Sequence, residues 1–73
     1  MKQYSKQALG IIASNKRAKN ITYEDPYLFK NERLECIGYS VGVYGIASAL
    51  FFSHKNNQYY YVKERTTTLL ALI

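Results

Sequence analysis

The sequence predicts an α+β fold in which two N-terminal helices, the second of them short, pack on a three- to four-stranded antiparallel β-meander. Three observations predict this fold. Apolar residues near the N-terminus follow helical spacing, the second half of the chain alternates as strands do, and a polar loop at residues 54–58 separates two such strands. With 73 residues the chain is one small domain, helical over residues 1–31 and sheet over residues 32–73.

The first helix is predicted over residues 2–14, and two ends for it remain open. Asn is a poor residue inside a helix and a good terminator, so Asn15 can end the helix and leave residues 16–19 as a basic loop. A longer helix would reach Lys19 and carry a stripe of cations opposite its apolar face. That apolar face is formed by Tyr4, Ala8, Ile11 and Ile12.

A second, short helix is predicted over residues 26–31. Asp25 before Pro26 combines a good N-cap with a proline in the first helical position, and Glu24 adds a favourable negative charge there. We expect both N-terminal helices to lie on one face of the sheet.

The remaining residues are predicted to form strands. Alternation of apolar and polar residues marks the first, and Gly42 and Gly45 predict a turn or bulge before the second. The polar loop at residues 54–58 then makes a hairpin with the third strand. The strands are expected at Arg33–Tyr39, Ile46–Ser53 and Tyr59–Arg65, with a short apolar fourth at Thr68–Ile73.

The net charge of +5 is concentrated in the first quarter of the chain. Five cations and no acid precede residue 21, whereas five cations and five acids follow it. With an isoelectric point near 9.4, this asymmetry indicates an acidic macromolecular surface as the partner, either a host protein or a nucleic acid. The alternative is that the cations form an ordinary solvated face.

The predicted binding site combines these cations with one face of the third strand, where tyrosines alternate with cations. Tyrosine beside a cation can stack on bases or anchor a protein interface, although tyrosine is also simply favoured in strands. The candidate residues are Lys2, Lys6, Lys16, Arg17, Lys19, Tyr59, Tyr61, Lys63 and Arg65.

We find no set of residues that predicts catalysis, a metal site or a cofactor. Cys36 falls at an alternating apolar position and His54 opens a loop, so a buried thiol and a solvated imidazole are expected rather than a nucleophile and its base. Gly38, Gly42 and Gly45 lack the lysine and the following helix that a phosphate-binding loop needs. The chain is therefore interpreted as a non-enzymatic binding protein.

A different class of function follows from Cys36–Ser53, which carries no charge and is just long enough to span a membrane as a helix. Its glycines, serines and β-branched residues favour a sheet instead. The preferred interpretation is thus a cytoplasmic protein without membrane contact, and the apolar Thr68–Ile73 segment leaves a homodimer open as an alternative.

Residues 31–45, Asn-Glu-Arg-Leu-Glu-Cys-Ile-Gly-Tyr-Ser-Val-Gly-Val-Tyr-Gly, resemble a segment of short uncharacterised proteins from bacteriophages and mobile elements of Gram-positive bacteria. The resemblance implies a small accessory factor that inhibits or regulates a host protein such as a nuclease, in the manner of anti-CRISPR proteins. Direct nucleic-acid binding through the basic helix is the alternative function, and a single-span membrane peptide is a second alternative.

Overall fold

The computed structural model describes residues 2–21 and 34–72, with side chains as far as Leu70. Its elements in chain order are β1 (Lys2–Gln3), α1 (Lys6–Asn15), β2 (Lys19–Ile21), β3 (Leu34–Val41), β4 (Ile46–Ser53), β5 (Gln58–Arg65) and α2 (Thr66–Leu72). The predicted α+β class is confirmed. The helix expected at residues 26–31 lies outside the described residues.

Strands β3, β4 and β5 form the antiparallel meander that the alternating pattern predicts. The turn between β3 and β4 covers residues 42–45, and Gly45 there has a φ of 73°, which favours glycine. A bulge at Ile37 shifts the β3–β4 register between Cys36 and Gly38. Where the chain is described, the strands predicted at Arg33–Tyr39, Ile46–Ser53 and Tyr59–Arg65 agree with β3, β4 and β5 to within two residues.

The sheet has five strands in the order β1-β3-β4-β5-β2, so the expectation of a purely antiparallel meander is wrong. Lys2 and Gln3 pair in parallel with β3, and Lys19–Ile21 pairs in parallel with β5. The reason is that a three-stranded meander leaves unpaired backbone groups along both edges. The extended residues on either side of α1 satisfy them, and α1 therefore crosses the sheet from one edge to the other.

Helix α1 does not extend to Lys19, so its end agrees with the shorter of the two predicted alternatives. Ser5 is its N-cap, with the hydroxyl Oγ accepting from the Ala8 amide at 3.1 Å. The helix ends at Asn15, and Arg17 has a φ of 54°, outside the helical region. A continuous helical stripe of cations therefore does not form, because Lys16 and Arg17 lie in the turn after α1 and Lys19 lies in β2.

The strand predicted at Thr68–Ile73 is wrong, since Thr66–Leu72 is helix α2. A short apolar run does not distinguish a buried strand from a buried helix. Here β2 already occupies the edge of β5, so the C-terminal segment has no strand to pair with. It turns onto the sheet instead and buries Leu69 there.

The two described helices, α1 and α2, lie on opposite faces of the sheet. The expectation that both N-terminal helices lie on one face stays a prediction, because the second of them falls outside the described residues. Leu9 and Ala13 of α1 pack with Leu50 on one face. On the other face, Leu69 of α2 packs against Phe51 and Val62 of the sheet, together with Ala47 and Ala49.

The Cys36–Ser53 segment lies in β3, the turn and β4, so it is not the single helix that a membrane span requires. Within residues 2–21 and 34–72, no helix is long and apolar enough to cross a membrane.

Candidate binding surface

The face of the sheet that carries α1 also carries several of the predicted cations. Lys6 is the first residue of α1, and Lys63 and Arg65 project from β5 toward the same face, since they alternate with buried Val62 on the opposite one. Lys6 and Lys63 line a common cleft. Lys2 lies in β1, with its ammonium 5.3 Å from the centroid of the Tyr4 ring.

The cations that follow α1 lie apart from this pair. β5 runs from Gln58 to Arg65, so the Lys16 ammonium, 5.6 Å from the ring centroid of Tyr59, marks the opposite end of the strand from Lys63. Arg17 and Lys19 are exposed beyond it. The structure therefore divides the predicted cations between the two ends of α1.

Tyr59 and Tyr61 do not stand on an open sheet face. Both are half-buried and pack against the apolar cluster of Leu9, Ala13 and Leu50, beneath α1. Tyr61 still contributes to an open groove of about 940 Å³ beside the helix, next to Gly10 and exposed Ile11. The two tyrosines thus pack beneath α1, and part of each side chain remains exposed.

None of the described cations forms an ion pair with a described carboxylate. Eight of the ten lysines and arginines lie in the described residues, whereas only two of the five acids do, Glu35 and Glu64. Glu35 Oε2 lies 2.8 Å from His54 Nε2, and Glu64 projects toward the face of α2. Among residues 2–21 and 34–72, no lysine or arginine forms an ion pair with either acid.

A cleft of about 340 Å³ opens between the start of α1 and the β3–β4 turn, and we call it the turn cleft. Ser40, Ser48 and Lys63 form a row across its floor, because they are register partners on β3, β4 and β5. Lys6 closes it on the side of the helix. The apolar wall consists of Val43, Tyr44 and Ile46.

The wall of the turn cleft is the most exposed apolar surface of the described chain. Val43 and Tyr44 are each 91% exposed, and Ile46 is 39% exposed. The turn that carries them is tied down, since the Gly42 amide donates to the Ile46 carbonyl at 2.7 Å. Sequence reasoning missed these residues, although a valine and a tyrosine inside a glycine-bounded turn, where polar residues are usual, were a usable signal.

The other candidate groups do not assemble into a reactive centre. The Cys36 thiol donates to the Gly38 carbonyl at 3.6 Å on the face of α2, and burial raises its pKa above the ordinary value. His54 contacts Glu35 instead, on the face of α1. In the described part of the chain, no three His, Cys, Asp or Glu side chains come close enough to hold a metal ion.

Comparison with known proteins finds no matching family model, no similar curated protein and no similar solved structure. The function is therefore argued from the geometry and charge of this surface.

Proposed function

We propose that this chain is a small non-enzymatic binding protein that attaches to an acidic surface of a host protein and inhibits or regulates it. The observation that carries the proposal is that eight exposed or partly exposed cations have no carboxylate partner among the described residues. Such a surface lowers the free energy of an anionic partner brought against it and speeds their encounter.

The apolar turn supports a protein partner over a nucleic acid. Val43 and Tyr44 are almost fully exposed, and tyrosine in particular is enriched at the energetic centres of protein interfaces. A nucleic-acid site would use exposed aromatic rings as stacking platforms on a cationic track. Tyr59 and Tyr61 are instead half-buried under α1, and the exposed Tyr44 lies beside Val43 in the apolar wall of the turn cleft. The resemblance of residues 31–45 to phage and mobile-element proteins supports an inhibitory role.

Direct nucleic-acid binding is the second candidate, because Lys16, Arg17 and Lys19 could contact phosphates with no rearrangement of the fold. It differs from protein binding in its salt dependence. Each phosphate that a cation neutralises releases counterions, so the logarithm of the binding constant falls linearly with the logarithm of salt concentration. A protein partner with an apolar contact would show a smaller slope.

The test is affinity capture of the tagged full chain from its native host cell, followed by mass spectrometry and sequencing of bound nucleic acid. The captured protein is then purified, and its dissociation constant for the chain is measured by calorimetry at rising salt. The triple variant Lys16→Gln/Arg17→Gln/Lys19→Gln is compared with Lys55→Gln, an equally exposed cation in the β4–β5 turn.

The proposal predicts a purified protein partner whose binding weakens as salt rises and weakens more in the triple variant than in Lys55→Gln. Purified single-stranded and double-stranded DNA and RNA are titrated in parallel at low salt. Tight nucleic-acid binding with a steep salt slope, and no protein partner, would replace this function with the second candidate. Binding to neither would reject both.

A further inference from the structure

We propose that the turn cleft is the specificity site of this surface and that it binds a peptide segment in which a carboxylate side chain lies beside an apolar one. The inference rests on the proposed function, since it names the part of a protein partner that the chain recognises. The cleft offers polar groups on its floor, Ser40, Ser48 and Lys63, and an apolar wall around Tyr44.

Two serines place hydrogen-bonding groups on the floor of the cleft. Ser40 and Ser48 are 5% and 4% exposed, and both line the cleft. Among the described residues, the buried hydroxyls that lack a hydrogen-bond partner are those of Ser53 and Thr66, whereas Ser40 and Ser48 open onto the cleft. Because Ser40 and Ser48 are register partners on adjacent strands, their hydroxyls present two neighbouring hydrogen-bonding groups to a ligand that enters the cleft.

The charge around these hydroxyls specifies an anion. Lys63 is the register partner of Ser48, and Lys6 faces the same cleft from α1. No acid lines the cleft. Lys6 is also the first residue of α1, whose N-terminal end carries partial positive charge and has no acid in its first turn. A carboxylate entering here meets two hydroxyl donors and two ammonium groups that form no ion pair with a described acid.

The apolar wall distinguishes a peptide from a nucleic-acid backbone. Val43, Tyr44 and Ile46 close one side of the cleft, where a phosphodiester chain would place sugar and charged oxygen against apolar surface. An aliphatic side chain next to the carboxylate would instead cover this wall. A volume of about 340 Å³ accommodates one or two side chains and no more.

The probe is the pentapeptide acetyl-Gly-Leu-Glu-Leu-Gly-amide, titrated into the ¹⁵N-labelled full chain and followed by amide chemical shifts. Three matched probes separate the contributions: the same peptide with Gln in place of Glu, the same peptide with Gly in place of both Leu residues, and inorganic phosphate. A five-residue oligothymidylate is the nucleic-acid probe. We expect the first peptide to shift the amides of residues 40–48 and 63, and each matched probe to shift them less.

The double variant Ser40→Ala/Ser48→Ala separates binding from folding. Because the hydroxyls open onto the cleft, their removal is expected to leave the melting temperature unchanged or raise it. The double variant should nevertheless bind the peptide at least threefold more weakly, which is the order of affinity expected to be lost with one modest hydrogen bond. Lys63→Gln should weaken it about two- to fivefold, whereas Lys55→Gln should not change it.

Equal binding of the Glu and Gln peptides would overturn anion recognition, and equal binding of phosphate would overturn the role of the apolar wall. Oligothymidylate shifting the cleft amides while the peptide does not would assign the cleft to nucleic acid and overturn the inference. If the serine variant melts at a lower temperature, the hydroxyls are structural and the inference also fails. If the cleft variants bind a salt-sensitive protein partner as tightly as the unmodified chain does, the proposed function stands and the inference about the turn cleft fails.

Discussion

At the residue scale, Gly38 shows how closely the N-terminal segment lies on the sheet. A Cβ atom built on Gly38 would lie 2.5 Å from Cε2 of the Tyr4 ring and 3.1 Å from the Lys2 carbonyl oxygen. Lys2 is also the register partner of Gly38 across the β1–β3 pair. The absence of a side chain at this bulge therefore allows β1 and the Tyr4 ring to cover β3.

We expect Gly38→Ala to lower the free energy of unfolding by about 1–3 kcal/mol, because the new methyl group overpacks this contact. The double-mutant cycle with Tyr4→Ala identifies the cause. When Tyr4→Ala has removed the ring, Gly38→Ala should lower the free energy of unfolding by less. The loss that remains reflects the contact with the Lys2 carbonyl oxygen. Urea unfolding measures both, with Gly10→Ala as a control because its Cβ would meet nothing within 4 Å. An equal cost with and without the ring would contradict the contact.

The Cys36 thiol gives a pH-dependent prediction. Burial disfavours the thiolate and raises the pKa, so at a given pH the folded chain holds less thiolate than an unfolded one. Alkylation by iodoacetamide should therefore reach its half-maximal rate at a higher pH in the folded chain than in urea. Mass spectrometry of the alkylated chain at each pH measures this rate without interference from the ionisation of the eight tyrosines. A midpoint at or below that of the unfolded chain would contradict the prediction.

At the element scale, the parts of the fold that the sequence predicts are those with a repeating pattern. Strand β4 at Ile46–Ser53 was predicted residue for residue, since Gly45 before it and the polar loop at residues 54–58 after it mark both of its ends. Strands β1 and β2 are too short to show a period. They form because β3 and β5 leave edges free, which depends on tertiary structure.

Helix α2 is a second element that the local sequence pattern does not predict. Its residues include three threonines, which favour strands, and its apolar run is too short to reveal a period. The helix is decided by the occupied edge of β5 and by the uncovered face of the sheet.

Two adjacent leucines of α2 test its orientation. Leu69 is 1% exposed and packs on the sheet, whereas Leu70 is 53% exposed. Leu69→Ala should lower the free energy of unfolding by about 2–5 kcal/mol through lost burial and an unfilled cavity. Leu70→Ala should change it by less than about 1 kcal/mol, since an exposed side chain loses little burial. Urea unfolding followed by circular dichroism compares them. Similar costs at the two positions would mean that α2 does not present Leu69 to the core.

At the scale of the whole molecule, composition located the cations but not the cleft. Ser40, Ser48 and Lys63 come from three strands and meet only because the registers align them. Lys6 joins them because α1 crosses the sheet, which the sequence pattern did not predict. The charge asymmetry is visible in the sequence because it depends only on which residues are present. The cleft depends on which strands pair and in what register, and the sequence does not show this.

The same excess of cations has a consequence for stability. The net charge is +5, and the described lysines and arginines form no ion pair with a described acid, so they repel one another in the folded chain more than in the expanded one. Sodium chloride screens this repulsion, because the Debye length falls from about 30 Å at 0.01 M to about 10 Å at 0.1 M. The melting temperature should therefore rise by about 2–5 °C over that range.

Neutralising the cations after α1 should reproduce the effect of salt. Lys16→Gln/Arg17→Gln is expected to melt higher than the unmodified chain at 0.01 M salt and to gain less from added salt, as followed by scanning calorimetry. Glu35→Gln provides the opposite control, since it removes one of the two described acids and should increase the gain from salt. A melting temperature that is constant or falls between 0.01 M and 0.1 M would mean that the cations are already neutralised within the folded chain. In that case they would not be available to an acidic partner.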